Sequence, residues 1–206
     1  MTADLAGVSA TARTDRGSGF RGTVQRLDDD LYDAFSRPLP TPFGPALARF
    51  TNIADHSKIS MAMAGILAGV GGARGRRTAV VGLASVAATS AVANLVVKPL
   101  ARRRRPVRMV EHLAHPEDTA HHVPMPASRS FPSGHSAAAA AFASATVQTW
   151  PQVSAVPVAV AGLVGYSRVH AGVHFPGDVL LGWALGVGIG TAVGAVSRRV
   201  SGPRGS

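Results

Sequence analysis

The residues with chemistry to offer are few, and they lie in short stretches. From Ser130 to Ala145 the chain reads SFPSGHSAAAAAFASA, with a polar tetrapeptide, Pro132-Ser133-Gly134-His135, at the mouth of an alanine-rich helix. Ser133 is placed to cap that helix. A helix N-terminus presents unpaired N–H groups and a partial positive charge, which together hold anions. Gly134 lets the backbone approach a ligand closely, and His135 in the first turn points at the same spot. Lys98, Arg105 and Arg168 supply charge, and their forked or ammonium donors suit phosphate. Together these groups describe an oxyanion site. His174 and Asp178 follow four residues apart.

These groups must be brought together by the elements that carry them. Five apolar stretches run at about 57–73, 78–97, 134–150, 152–167 and 178–196. The second, and the fifth from Val179 onward, carry no charge and approach the roughly 20 residues needed to cross a bilayer core. The third and fourth are shorter and alanine-rich, and alone would fit spanning helices or a soluble bundle. If the five alternate in direction, the second ends at Lys98 on one face and the third begins at His135 on that face. The fourth returns there at Ser167-Arg168, and the fifth starts there after His174 and Asp178. Topology alone therefore gathers Lys98, Arg105, Ser133, His135, Arg168, His174 and Asp178 at one end. The expected fold is all-α: a multi-pass membrane bundle of about five spanning helices plus an N-terminal amphipathic helix.

Composition agrees with closely packed helices. The 206 residues are 46% hydrophobic but only 5% aromatic, and the apolar content is mostly Ala, Val and Gly. Gly182, Gly186, Gly190 and Gly194 repeat every four residues, a flat face that permits close helix contact and raises the expectation of a homodimer through it. No cysteine is present, so thiolate chemistry is excluded. The formal charge of +10 fits an anionic membrane or substrate. Nucleic acid is the weakest partner, because stacking aromatics and a recognition motif are missing. Residues 1–22 read as a disordered arm without the apolar core of a signal peptide. Val24, Leu27, Leu31 and Phe35 recur at helical spacing with acids between them, an amphipathic helix suited to a membrane interface. The domain expected to carry the chemistry spans 23–197, with a basic tail at 198–206.

Three motifs occur in order: Lys98-PLARRR-Arg105-Pro106, Pro132-Ser133-Gly134-His135, and Ser167-Arg168-VHAGV-His174-FPG-Asp178. With them the chain resembles the type 2 phosphatidic acid phosphatase superfamily, over about residues 57–196, and ADHSKIS and GVHFPGDV look like actinobacterial membrane members. The resemblance implies a metal-free lipid phosphatase with no cofactor. His174 would be the nucleophile that forms a phosphohistidine, Asp178 would orient its imidazole, and His135 would protonate the leaving alkoxide. Lys98, Arg105, Arg168, Ser133 and Gly134 would bind the phosphoryl oxygens, with Ser167 a weaker member. Membrane lipids are the surroundings and a lipid phosphate the substrate.

Other readings attach to neighbouring residues. Arg102, Arg103 and Arg104 at a helix end read as a topology signal or a lipid-headgroup contact, so Arg103→Lys should be nearly silent. His170, His174 and Asp178 are spaced as helical metal ligands, but Pro176-Gly177 interrupts the helix, and His170 is read as lining the pocket. His115, His121 and His122, beside Glu117 and Asp118 in the loop from 107 to 130, read as solvated, or else as a substrate lid. A vanadate-dependent haloperoxidase or a lipid-binding scaffold would use the same cage differently. Basic residues favour a cytoplasmic site by the positive-inside rule, whereas the resemblance favours a multi-pass protein of the cell membrane with the site facing outward.

Overall fold

The computed structural model describes residues 19–37, 39, 43–53, 57–101, 103–106 and 128–200. Every regular element among them is helical. Helix α1 is Phe20–Phe35, α2 is Phe43–Ile53 and α3 is Lys58–Val70. Helix α4 is Gly72–Leu100, with a π-helical turn at Ala93–Val97 just before Lys98. Helix α5 is Gly134–Thr149, α6 is Ala155–His170 and α7 is Pro176–Val200. Helix α1 therefore takes in Phe20–Gly22, which composition had assigned to the arm, and α7 takes in Arg198–Val200 from the expected tail. Residues 1–18 and 201–206 lie outside the described residues, as do the loop residues 107–127 with His115, Glu117, Asp118, His121 and His122.

Helix α5 is the axis of the bundle. Every residue from Ser136 to Thr146 is buried, so no face of this helix is left for solvent. Its neighbours reach it because the facing residues are small. A Cβ on Gly186 would stand 2.1 Å from the Ala137 carbonyl oxygen, and one on Gly190 would stand 2.5 Å from that of Ala141. The glycine face of α7 is thus filled by α5 of the same chain. This corrects the expectation that it serves a homodimer: Gly182, Gly186, Gly190 and Gly194 are all buried. On the opposite flank, Ala138 and Phe142 pack with Ala64, Ala79 and Val86. A third cluster, Tyr32, Val169 and Val179 with Phe175, seats α1 over one end.

The outside of the bundle reverses the usual distribution of size. Ile66, Val80, Leu83, Leu95, Val156, Leu180, Leu181 and Val196 are exposed, while the interior is mostly Ala, Gly, Ser and Thr, with a few Val and Phe142 among them. Among the described residues two helices, α4 and α7, are long and apolar enough to cross a membrane, against the five stretches expected. Helices α5 and α6, at 16 residues each, span about 24 Å at 1.5 Å per residue, short of a ~30 Å hydrocarbon core.

Candidate functional site

The end of the bundle where α4 and α6 finish and α5 and α7 begin holds the polar residues. Between α6 and α7 the chain leaves the helix at Ala171 and resumes it at Pro176, which exposes no backbone clash because proline suits a helix start. That five-residue break carries His174. The residue is 2% exposed. Nδ1 lies 3.6 Å from Asp178 Oδ2, and Nε2 lies 3.3 Å from Arg105 Nη1. The first distance is a charge contact longer than a hydrogen bond, and no hydrogen-bond partner lies within reach of Nδ1 among the described residues. A carboxylate on the Nδ1 side favours the proton there and leaves the Nε2 lone pair facing Arg105. Burial holds the imidazole pKa down at about 4, with Asp178 raising it and Arg105 and Arg168 lowering it. The ring is neutral at neutral pH.

Asp178 is fully buried in the first turn of α7 and is fixed by several donors. Oδ2 accepts from the Phe175 N–H at 2.9 Å and, in a short bond, from the Ser130 hydroxyl. Oδ1 accepts from Arg103 Nη1 at 3.0 Å. Arg103 also pairs with Asp28 of α1 and lies 4.2 Å from the centre of the Phe175 ring. This corrects the reading of Arg103 as a headgroup or topology residue: it forms an internal ion pair with the carboxylate beside His174. Arg104 is exposed, and Arg102 lies outside the described residues.

The cationic residues converge around this ring. Arg105 reaches two other segments: Nη1 donates to the Val173 carbonyl at 2.6 Å, Nε to that of Ser128 at 2.9 Å, and Nη2 to that of Arg129 at 3.3 Å. Arg168 is 2% exposed, and its charge is felt at His174. Lys98 donates to Asn94 Oδ1 at 2.8 Å, and its Nζ would stand 3.7 Å from a Cβ built on Gly134. That is ordinary contact, so the protein's own packing does not require glycine there. The Ser133 N–H donates to the Asp178 carbonyl at 2.9 Å, tying the start of α5 to the start of α7.

Ser133 caps α5 as its position predicts, with its hydroxyl accepting from Ser136 N–H and meeting the Ser136 hydroxyl at 2.8 Å. His135 is partly exposed and lines a small cavity with Ser57, Ser60, Ile59 and Val164. Two expected members stand elsewhere. The Ser167 hydroxyl donates to the Val164 carbonyl and accepts from Thr51 at 2.7 Å, so it ties α6 to α2. His170 Nδ1 lies 3.1 Å from the Phe35 carbonyl, and its ring stacks on Tyr166, so it closes the end of α1 instead of lining the pocket. Among the described residues no three His, Asp or Glu side chains are grouped as a metal site would need.

Sequence reasoning missed Arg103, Ser130 and Asp28. Ser130 sits just before the Pro132-Ser133-Gly134-His135 turn. Asp28 was visible only as one of three consecutive acids, of which it alone is buried.

The sequence pattern of the PAP2 superfamily matches residues 78–200. A decaprenylphosphoryl-5-phosphoribose phosphatase of Mycobacterium tuberculosis is 38% identical over 114 residues, 53% of this chain and 54% of that protein. An undecaprenyl-diphosphatase of Sulfolobus acidocaldarius is 42% identical over 64 residues, 31% of each. The chain thus spans about half or less of the curated relatives it matches. Among solved structures, the transmembrane PAP2-type phosphatidylglycerolphosphate phosphatase of Bacillus subtilis superposes with a TM-score of 0.64 at 25% identity, covering 88% of this chain and 90% of that one.

Proposed function

The chain belongs to the PAP2 superfamily, and from that premise we propose that it is a membrane-embedded phosphatase acting on a lipid phosphate or diphosphate. The observation that carries the reading is the setting of His174, a buried neutral ring with a carboxylate at Nδ1 and a guanidinium at Nε2. Nε2 attacks phosphorus, the P–N bond forms, and the bond to the leaving oxygen breaks. His135 delivers a proton to that oxygen. Asp178 offsets the charge that develops on the imidazole. Water then cleaves the P–N bond and frees phosphate. Lys98, Arg105, Arg168 and the N–H groups at the start of α5 stabilise the phosphoryl oxygens as charge builds on them. Ser133 contributes chiefly by capping that helix. Gly134 is kept small by the ligand, since a methyl group there meets only Lys98 at ordinary contact distance. The exposed Ile, Leu and Val of the bundle surface meet lipid, and the apolar stripe Phe20, Val24, Leu27, Leu31 and Phe35 of α1 lies at the headgroup boundary. The site faces outward from the cell membrane; a reporter fused after Ser206 should then be active only on the cytoplasmic side.

The reading is tested by phosphate release from phosphatidic acid, phosphatidylglycerol phosphate, polyprenyl phosphates and diphosphates, and decaprenylphosphoryl-phosphoribose, with purified protein in detergent. At least one should be hydrolysed, with no turnover by His174→Ala. Activity should survive EDTA and be blocked by vanadate. Release by His174→Ala equal to that of the unaltered protein, or loss in EDTA restored by a divalent ion, would overturn the mechanism.

A further inference from the structure

Helix α1 offers an exposed apolar stripe on one side, yet it buries one carboxylate on the other. Asp28 is 6% exposed, whereas Asp30, two residues on, is exposed. A buried carboxylate is costly unless it is paired and hydrogen-bonded. Asp28 has both kinds of partner, and both belong to the site. Oδ1 accepts from the Gly177 N–H at 2.7 Å, in the first turn of α7 and one residue from Asp178. Oδ2 pairs closely with Arg103 Nη2, which also reaches Gln25 Oε1 at 3.1 Å. The other terminal nitrogen of the same guanidinium holds Asp178. The fit is tight, since a Cβ on Gly177 would stand 2.9 Å from Asp28 Oδ2. None of these contacts is needed to cap α1 or to fill the core.

We propose that Asp28 and Arg103 are positioning residues, a relay from α1 that sets the place and charge of Asp178 and, through it, the orientation of His174. Arg103 fixes Oδ1 so that Oδ2 is turned to Ser130, Phe175 N–H and the imidazole. Asp28 fixes Arg103 from behind and moderates its charge. Arg103 without Asp28 would draw Asp178 toward itself and weaken its hold on His174. Asp178 without Arg103 would be free to rotate. The groups that face His174 are Asp178 from α7, Arg105 from the segment after α4 and Arg168 from α6. Those that face Arg103 are Asp28 and Gln25 of α1 and Asp178. The inference rests on the role given to His174 above, and α1 thereby becomes part of the working site.

The test uses full-length protein in detergent with nitrogen-15-labelled histidine, comparing the unaltered chain with Arg103→Gln, Arg103→Lys and Asp28→Asn. Asp28→Asn can keep the acceptor for the Gly177 N–H, while it removes the charge and the oxygen that accepts from Arg103. The ring resonances of His174, assigned by their loss in His174→Ala, are titrated. Removing the cation beside Asp178 should raise the His174 midpoint, and removing the anion beside Arg103 should lower it. Opposite directions separate a relay of charge from general loosening, which would move both variants alike. On whichever lipid phosphate is hydrolysed, Arg103→Gln should lower kcat by roughly 10²-fold, the scale of a small misplacement of a reacting group, with KM within about twofold. Arg103→Lys should restore part of kcat. Midpoints that do not move, or that move together, would overturn the proposal even if the enzyme is active. Absence of turnover by the unaltered protein would instead count against the proposed function, and the titration would still decide the relay.

Discussion

The two ends of the bundle are both rich in arginine, and they use it differently. At the far end Arg77 donates to the Ser197 carbonyl at 2.8 Å, Arg74 to that of Thr149 and Arg198 to that of Gln148. These cations close helix C-termini, where exposed carbonyls and the helix dipole favour them. At the site end Arg103 pairs with two buried carboxylates, and Arg105 meets a buried imidazole. The difference lies in what surrounds the arginine. Residues 71–77, 148–155 and 194–206 contain no Asp or Glu, so these segments offer a far-end arginine only neutral acceptors. The site end has Asp28 and Asp178. A buried acid beside a basic run marks the end where charge does work.

The largest expected effect sets one end directly against the other. Arg105→Lys keeps charge but cannot span Val173, Ser128 and His174 at once. Phosphate release should fall by on the order of 10²-fold or more, the scale of a lost oxyanion donor. Arg77→Lys, measured in the same assay, should stay within about twofold. Equal losses would erase the distinction between the ends.

A second comparison concerns the seam that joins them. Gly186→Ala places a methyl group against the Ala137 carbonyl, whereas Gly188 has nothing within 4 Å of a built Cβ. Thermal unfolding in detergent should show Gly186→Ala destabilised by about 1–3 kcal/mol, the scale of overpacking. Gly188→Ala should be neutral or slightly stabilising, because alanine favours a helix over glycine.

Acid should act at one end alone. The His174 ring takes a proton only near pH 4 in the folded protein, against 6.5 for an ordinary histidine. Between those values the unfolded chain binds the proton and the native one does not, so this contribution to stability shrinks as pH falls from 6.5 toward 4. The His174 ring remains neutral through that window. The acid limb of kcat/KM assigned to His174 should therefore lie near 4. A limb near 6.5 that disappears with His174→Ala would show the ring to be more open to water than it stands here. The smallest effect is expected at Ser167→Ala, which loses the bond to Thr51. It should cost about 1 kcal/mol of stability and leave KM unchanged, as a tie between helices and not a phosphate ligand would.

Much of this arrangement was legible in the sequence, for a physical reason. Helix period and the short breaks at 71, 150–154 and 171–175 force the chain back and forth, so Lys98, His135, Arg168 and His174 could be assigned to one end before any coordinates. Ser133 as a cap followed from residue type and place. What was not legible depends on side chains far apart in sequence. Arg103 and Arg104 are neighbours of the same type, yet one is paired with Asp28, 75 residues away, and the other is exposed. Ser167 adjoins Arg168, but on a helix adjacent residues face different ways, and its hydroxyl turns to Thr51. The glycine repeat predicted close packing correctly and its partner wrongly, because spacing says that a face is flat and not which helix lies on it.

The central claim is that His174 carries the phosphoryl group while the cations around it hold the oxygens. It is tested most directly by mixing the purified protein with phosphorus-32-labelled lipid phosphate, quenching rapidly without acid, and mapping the label by proteolysis. Label bound to His174, absent from His174→Ala and present in reduced yield in Arg105→Lys, is the predicted result. Label on His135, or protein-bound label that persists in His174→Ala, would contradict the account.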